Sequence, residues 1–345
     1  SACADVAGAK RFYLRQGILL AILYMLDATD CHMENIVASG EFPVLVDLET
    51  LFHNQPDLSG GNSSTNAVRD AALAQTVLRV AFLPQPFEGP GGIADFSALG
   101  SDGEDQKTPF LVPKWQGQGT DEMRMVTDSP GVLLAGRNVP IVDGNPVSIL
   151  NHRNAVIEGF ELGYHFLLRK RDLLLAPGGT LDLFGDCAGR HVVWATQSYM
   201  HLIVESCHPS CMDDAMEREF VINDLWARVD RHPYLKQLVD SEKAAVWNLD
   251  VPCFQTRVGS RDLWDENSQR FENYFGATSL DRVRDRIKNM GERDLEIQRY
   301  AMRMSLASID LRGGPPAVQS PPKAVETIDR TGLVEAAKAI GERLI

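Results

Sequence analysis

Positions 11–27 read RFYLRQGILLAILYMLD and put Leu14, Ile18, Leu19, Ile22, Leu23 and Leu26 at helical spacing. That spacing predicts a buried helix. A polar, irregular stretch, ATDCHMEN, follows it directly. Ile36-Val37-Ala38 and Val44-Leu45-Val46 then flank Ser39-Gly40-Glu41-Phe42-Pro43, which predicts two short strands around a turn. Asp47-Leu48-Glu49 ends the second strand. No other segment constrains the fold as much. A hairpin between Asn35 and Asp47 carries the chain out and back, so Asp47 returns beside Asp30 and Asn35.

The rest of the chain predicts an α+β fold with many helices. Positions 54–66 read as a polar loop and 67–83 as a helix or strand. Positions 84–122, rich in Gly, Pro and acid, read as mostly irregular, with a strand-like run at 131–135. Helices are expected over 154–173, 212–229 and 279–308, and a strand passing into a helix over 190–206. Arg312 to Lys323, RGGPPAVQSPPK, reads as a linker. Leu333, Ala336, Ala337, Ile340 and Leu344 then begin another amphipathic helix. No internal repeat is evident.

Composition excludes several classes. The 34 Lys and Arg against 47 Asp and Glu give a net charge of −13, which argues against a general nucleic-acid binder but not against one local basic groove. The longest apolar stretch, 16–26, is too short to span a bilayer, and no signal-peptide pattern precedes it. Six Cys in 345 residues do not form a disulfide scaffold, so a reducing cytoplasm is the expected location.

The polar loop and the hairpin together carry a chemistry. Phosphoryl transfer from ATP needs a carboxylate to orient the attacking hydroxyl, and an amide oxygen with a second carboxylate to hold Mg²⁺ on the phosphates. Asp30, Asn35 and Asp47 supply those groups in the layout of a kinase catalytic loop followed by its metal-binding Asp. His32, two residues after Asp30, resembles the D-R-H-x-x-N order of lipid kinases more than the H-R-D order of protein kinases. Asp47-Leu48-Glu49 stands in place of D-F-G. The alternative is an ordinary polar loop capped by Asp30 and Asn35.

The wider wording resembles one family. RQGILLAILYMLDATDCHMENIVASGEFPVLVDLETLFH is similar to the dehydratase domain of class II (LanM-type) lanthipeptide synthetases. The resemblance continues through DFSALG (95–100), TDEM (120–123), EGFELGYHFLL (158–168), RHVVWATQSYMHLI (190–203) and DVPCF (250–254). It implies a lipid-kinase-like C-lobe over positions 1–311, the 312–323 linker, and the start of a following cyclase domain at 324–345. It also implies ATP-dependent dehydration of Ser and Thr in a ribosomal precursor peptide, by phosphorylation and then phosphate elimination. The cofactors it implies are ATP and Mg²⁺, with Zn²⁺ confined to the absent cyclase domain.

On this resemblance Asp30 matches the catalytic Asp and His32 the loop His. Asn35 and Asp47 match the Mg²⁺ ligands, and Arg190 and Thr196 match positions linked to elimination. Glu49, on the same strand face as Asp47, joins the metal site or serves elimination. Trp194 departs from related sequences, which often carry a second Arg there. On a straight strand Arg190 and Thr196 would stand ~20 Å apart, so both reach one phosphate only if the chain bends. The phosphate-anchoring Lys of such enzymes has no counterpart here, since Lys10 lies at the start of the catalytic helix. The chain alone is therefore expected to be inactive and to be part of a longer protein.

Two other functions stay open: a kinase-like phosphotransferase without elimination, and a non-catalytic peptide-binding module. Cys207-His208-x-x-Cys211 offers three ligands, one short of a zinc site and not at the usual spacing. His53 reads as structural. Gly89, Gly91 and Gly92 lack the Lys-Ser/Thr of a phosphate loop.

Overall fold

The computed structural model describes residues 2–56, 73–100, 103–134, 136–230 and 232–309. The linker and the helix expected beyond it lie outside the described residues, as does most of the 54–66 loop. In chain order the elements begin with α1 (Val6–Met25), β1 (Ile36–Ser39), β2 (Phe42–Leu45), β3 (Phe87–Gly89) and β4 (Gly92–Ala94). Next come β5 (Gln106–Gln116), β6 (Arg124–Leu133), β7 (Ile141–Val142), β8 (Asn145–Pro146), α2 (Arg153–Arg169) and α3 (Arg171–Leu175). They continue with β9 (Ala188–His191), α4 (Thr196–Ser206), α5 (Ala215–Ile222), α6 (Asp224–Ala227) and α7 (Val239–Trp247). The last are β10 (Phe254–Arg257), β11 (Leu263–Trp264), β12 (Arg270–Phe271), α8 (Ser279–Asn289) and α9 (Glu292–Ala307). The mixture of helix and strand is consistent with an α+β class.

Asp5 starts α1 by accepting a hydrogen bond from the Gly8 N–H, at 2.7 Å. The helix buries Phe12, Tyr13, Leu20, Leu23 and Tyr24 in the main core, beside Phe160 and Tyr164 of α2 and Val283, Ile287, Leu295 and Met302 of α8 and α9. Small residues let α1 and α2 approach backbone to backbone. A Cβ on Gly159 would lie 1.9 Å from the Leu14 carbonyl oxygen, and one on Gly17 would lie 2.0 Å from that of Val156. This close crossing is what the glycines of EGFELGYHFLL provide, and it holds the helix that delivers Asp30.

The hairpin forms, with Ile36 opposite Leu45 and Ser39 opposite Phe42, but β2 ends at Leu45: Asp47-Leu48-Glu49 lie beyond the strand, where the Asp47 carboxylate accepts from the Glu49 N–H and bends the chain. The region 84–122 does not stay irregular. It contains β3, β4 and the eleven-residue β5, which pairs with β6 through two register shifts. Pro109 and Pro113 and a mostly solvated outer face hide the two-residue period of β5 in the sequence. The helices expected over 154–173, 212–229 and 279–308 each break, at Lys170, Asn223 and Met290-Gly291 respectively. Four strands form a sheet in the order β12-β11-β10-β9, of which only β9 is evident from the sequence.

One carboxylate organises the floor beneath the polar loop. Asp27, 3% exposed, takes salt bridges from Arg79, from Arg286 at 2.5 Å and from Arg282 at 3.1 Å. Burial pulls its pKa upward, but the three guanidinium groups overcome this and hold it below the usual carboxylate range. Arg79 also donates to the His53 carbonyl at 2.7 Å. The His53 ring stacks on His191, 5.2 Å away.

Burial, with Arg79 nearby, lowers the His191 pKa to about 4 and holds His53 well below its ordinary value. The native state therefore binds fewer protons than the unfolded chain below about pH 6.5. Stability is expected to fall from about pH 6.5 towards pH 4, by up to ~1.4 kcal/mol per pH unit for each such group. Urea unfolding midpoints across this range measure the slope. His191→Phe should flatten it, and an unchanged slope in that variant would refute the assignment.

Candidate active site

The polar loop is pinned on both sides. The Thr29 N–H donates to the Thr50 carbonyl at 3.3 Å, and the Thr50 hydroxyl returns a bond to the Thr29 carbonyl at 2.6 Å. Cys31 N–H donates to the Val80 carbonyl and Met33 N–H to the Phe96 carbonyl, each at 3.0 Å. His32 forms an isolated bridge with Ser97. The DFSALG run is thus the seat of the loop. Its Asp95 carboxylate accepts from the Ser97 N–H at 2.9 Å, and a Cβ on Gly100 would lie 2.1 Å from that carboxylate.

Asp30 sits in the left-handed region with φ +58°, a conformation sparsely populated outside glycine. The Asn35 amide donates to the Asp30 carbonyl at 2.8 Å and lies 3.4 Å from the His32 ring nitrogen. That nitrogen is 3.8 Å from the Asp30 carboxylate. Across the hairpin the Val46 N–H donates to the Asn35 carbonyl at 3.0 Å, which puts Asp47 next to Asn35. Asp47 accepts from the Glu49 N–H at 3.0 Å. Glu49 then meets Arg190 twice: backbone N–H to carbonyl at 2.8 Å, and guanidinium to carboxylate at 2.8 Å. The free edge of β9 therefore meets the chain from Glu49 onward: Gly189 lies next to the Glu49 and Leu51 carbonyls, and the Val192 N–H reaches the His53 ring. Sequence spacing does not foresee the Glu49–Arg190 contact, because 141 residues separate its partners.

The site is acidic. Burial raises the Asp30 pKa. His32 and Arg190 oppose that rise, while the Asp47 and Glu49 carboxylates add to it. Burial and the charges of Asp30 and Asp47 also push the Cys31 thiol up to about 12, leaving it inert. Among the described residues no three His, Cys, Asp or Glu side chains converge closely enough to cage a cation unaided. Mg²⁺ does not need such a cage, since it keeps waters and takes substrate phosphates beside one or two protein oxygens. The Asn35 amide oxygen and the second Asp47 carboxylate oxygen have no protein partner among the described residues, and they fit that limited role.

Arg190 lies on β9, which ends at His191, and Thr196 is the first residue of α4. The segment is therefore not a straight strand. Among the described residues Thr196 shares no side-chain hydrogen bond with the Asp30 group. Cys207, His208 and Cys211 form no metal cluster among the described residues, and the Ser210 N–H donates to the His208 ring at 3.2 Å. Phe42, Val44, Val46 and Leu48 alternate along β2 and just beyond it, and all four are exposed. This leaves an apolar strip directly beside Asp47.

Residues 1–257 match the family described as a domain of unknown function (DUF4135), and the chain belongs to that family, a domain found in LanM-type lanthipeptide synthetases. It is also similar to the lacticin 481/lactococcin biosynthesis protein LcnDR2 of Lactococcus lactis subsp. lactis. The two are 30% identical over 76 residues, which cover 22% of this chain and 8% of that protein. The chain thus matches only a small part of its curated relative's length. No described helix is long and apolar enough to cross a membrane.

Proposed function

We propose that this chain is the lipid-kinase-like, phosphoryl-transfer part of a lanthipeptide synthetase that dehydrates Ser and Thr of a precursor peptide with ATP. The observation that carries this reading is the Glu49–Arg190 pair, two residues from Asp47, which brings one residue expected for elimination beside the loop expected for phosphorylation. Asp30 orients the substrate hydroxyl and accepts its proton, and its raised pKa makes it a better match to a neutral-pH base. Mg²⁺ on Asn35 and Asp47 would neutralise the phosphates. The exposed strip from Phe42 to Leu48 offers an apolar surface for the nucleotide base.

Elimination removes the α-proton of the phosphorylated residue, forms the Cα=Cβ bond and expels phosphate from Cβ. Glu49 is the nearest base to Arg190, and the unpaired nitrogens of Arg190 hold the leaving phosphate. Thr196 adds a hydroxyl donor if the turn after β9 brings it to the same phosphate.

The test uses the complete natural polypeptide that contains this chain, with ATP and its precursor peptide. Arg190→Ala is expected to slow elimination by ~10²-fold or more, so that phosphorylated peptide accumulates in the mass spectrum. Dehydration at the wild-type rate in that variant would overturn the role of Arg190.

A further inference from the structure

A separate pocket of about 340 Å³ is lined by Trp194, Asp224, Ala227, Arg228 and His232. Its back wall is apolar and buried. The Tyr199 hydroxyl donates to the Glu242 carboxylate at 2.5 Å, and Glu242 is 1% exposed. Trp194 packs against the apolar cluster that holds Tyr199 and Leu202. The Arg228 guanidinium lies over the Trp194 ring, 4.8 Å from its centre, and His232 meets that ring edge-on at 5.7 Å.

A guanidinium stacked by its face keeps its edge N–H donors available. Arg228 pairs with Asp224, one helical turn back, exposed and 3.8 Å away, a pair of little worth, and its charge also acts on the buried Glu242 carboxylate behind the pocket. The pocket therefore offers an oriented cationic fork with an imidazole beside it. That is the chemistry of a phosphate monoester site. Trp194 is four residues beyond Arg190, so their Cα atoms are at most ~14 Å apart.

We propose that Arg228, seated on Trp194, binds the phosphate of a phosphorylated Ser or Thr in the substrate peptide. This rests on the reading above, in which such a peptide is the intermediate. Arg228 thereby supplies, from a different element, a cation next to the turn that joins Arg190 to Thr196.

The test is a titration of the chain with a phosphoseryl peptide and with its unphosphorylated twin, followed by tryptophan fluorescence, with inorganic phosphate as a third probe. Wild type is expected to prefer the phosphopeptide by about tenfold or more. Arg228→Gln should abolish the preference and Arg228→Lys should keep part of it, with thermal melting confirming that both variants fold. Competition by inorganic phosphate would place the recognition on the phosphate group itself. Equal wild-type affinity for the two peptides, or an undiminished preference in Arg228→Gln, would overturn the proposal. The titration involves no turnover, so it separates the two ideas. If the complete polypeptide forms no phosphopeptide from ATP while the titration succeeds, the dehydratase reading fails and the phosphate site stands.

Discussion

Asp30→Asn is expected to abolish peptide phosphorylation, with a loss of ~10²–10⁴-fold. The substitution keeps the shape of the side chain and removes its charge. The loop would survive it, because the bonds that pin the loop come from Thr29, Cys31, Met33 and Thr50 and from the Asp30 carbonyl. The loss would therefore fall on the proton-accepting carboxylate alone. Quenched time courses of phosphopeptide formation by the complete polypeptide measure it, with the circular dichroism melt as a control for folding. Phosphorylation at the wild-type rate would remove Asp30 from the reaction.

The second large effect concerns stability. Asp27→Asn leaves Arg79, Arg282 and Arg286 around a neutral amide, and the first and last of these guanidinium side chains are 9% exposed. Unpaired buried cations cost ~3–5 kcal/mol, a large share of the 5–15 kcal/mol typical of a domain. The urea midpoint should fall accordingly. Asp182→Asn removes a half-buried partner of Arg284 and should cost ~1 kcal/mol or less. Equal effects from the two substitutions would refute the central place of Asp27. Because the folded Asp27 pKa is depressed, this stabilisation is present above about pH 4 and is lost as the pH falls through the folded-state value.

Local signals were legible where they are short in sequence. The α1 periodicity, the turn at Gly40-Glu41 and the return of Asp47 beside Asn35 all follow from residues within a 45-residue span, and the structure has them. Asp27, by contrast, reads in sequence as the charged end of an apolar run. Its partners lie 52, 255 and 259 residues away, so no local period reports them. The same holds for Glu49 with Arg190. β10 to β12 are two to four residues long, too short for alternation to show. β5 was hidden because its Pro residues and polar outer positions imitate a loop. By propensity alone the glycines of α2 weaken a helix; the close passage of α1, which lies far away in sequence, is what requires them.

The most direct test of the account is the mass of a precursor peptide incubated with the complete polypeptide, with and without ATP and Mg²⁺. A transient gain of one phosphate at Ser or Thr is expected, followed by net loss of one water, and both only when ATP is present. Loss of water without ATP, or a phosphate retained indefinitely on the wild-type product, would contradict it.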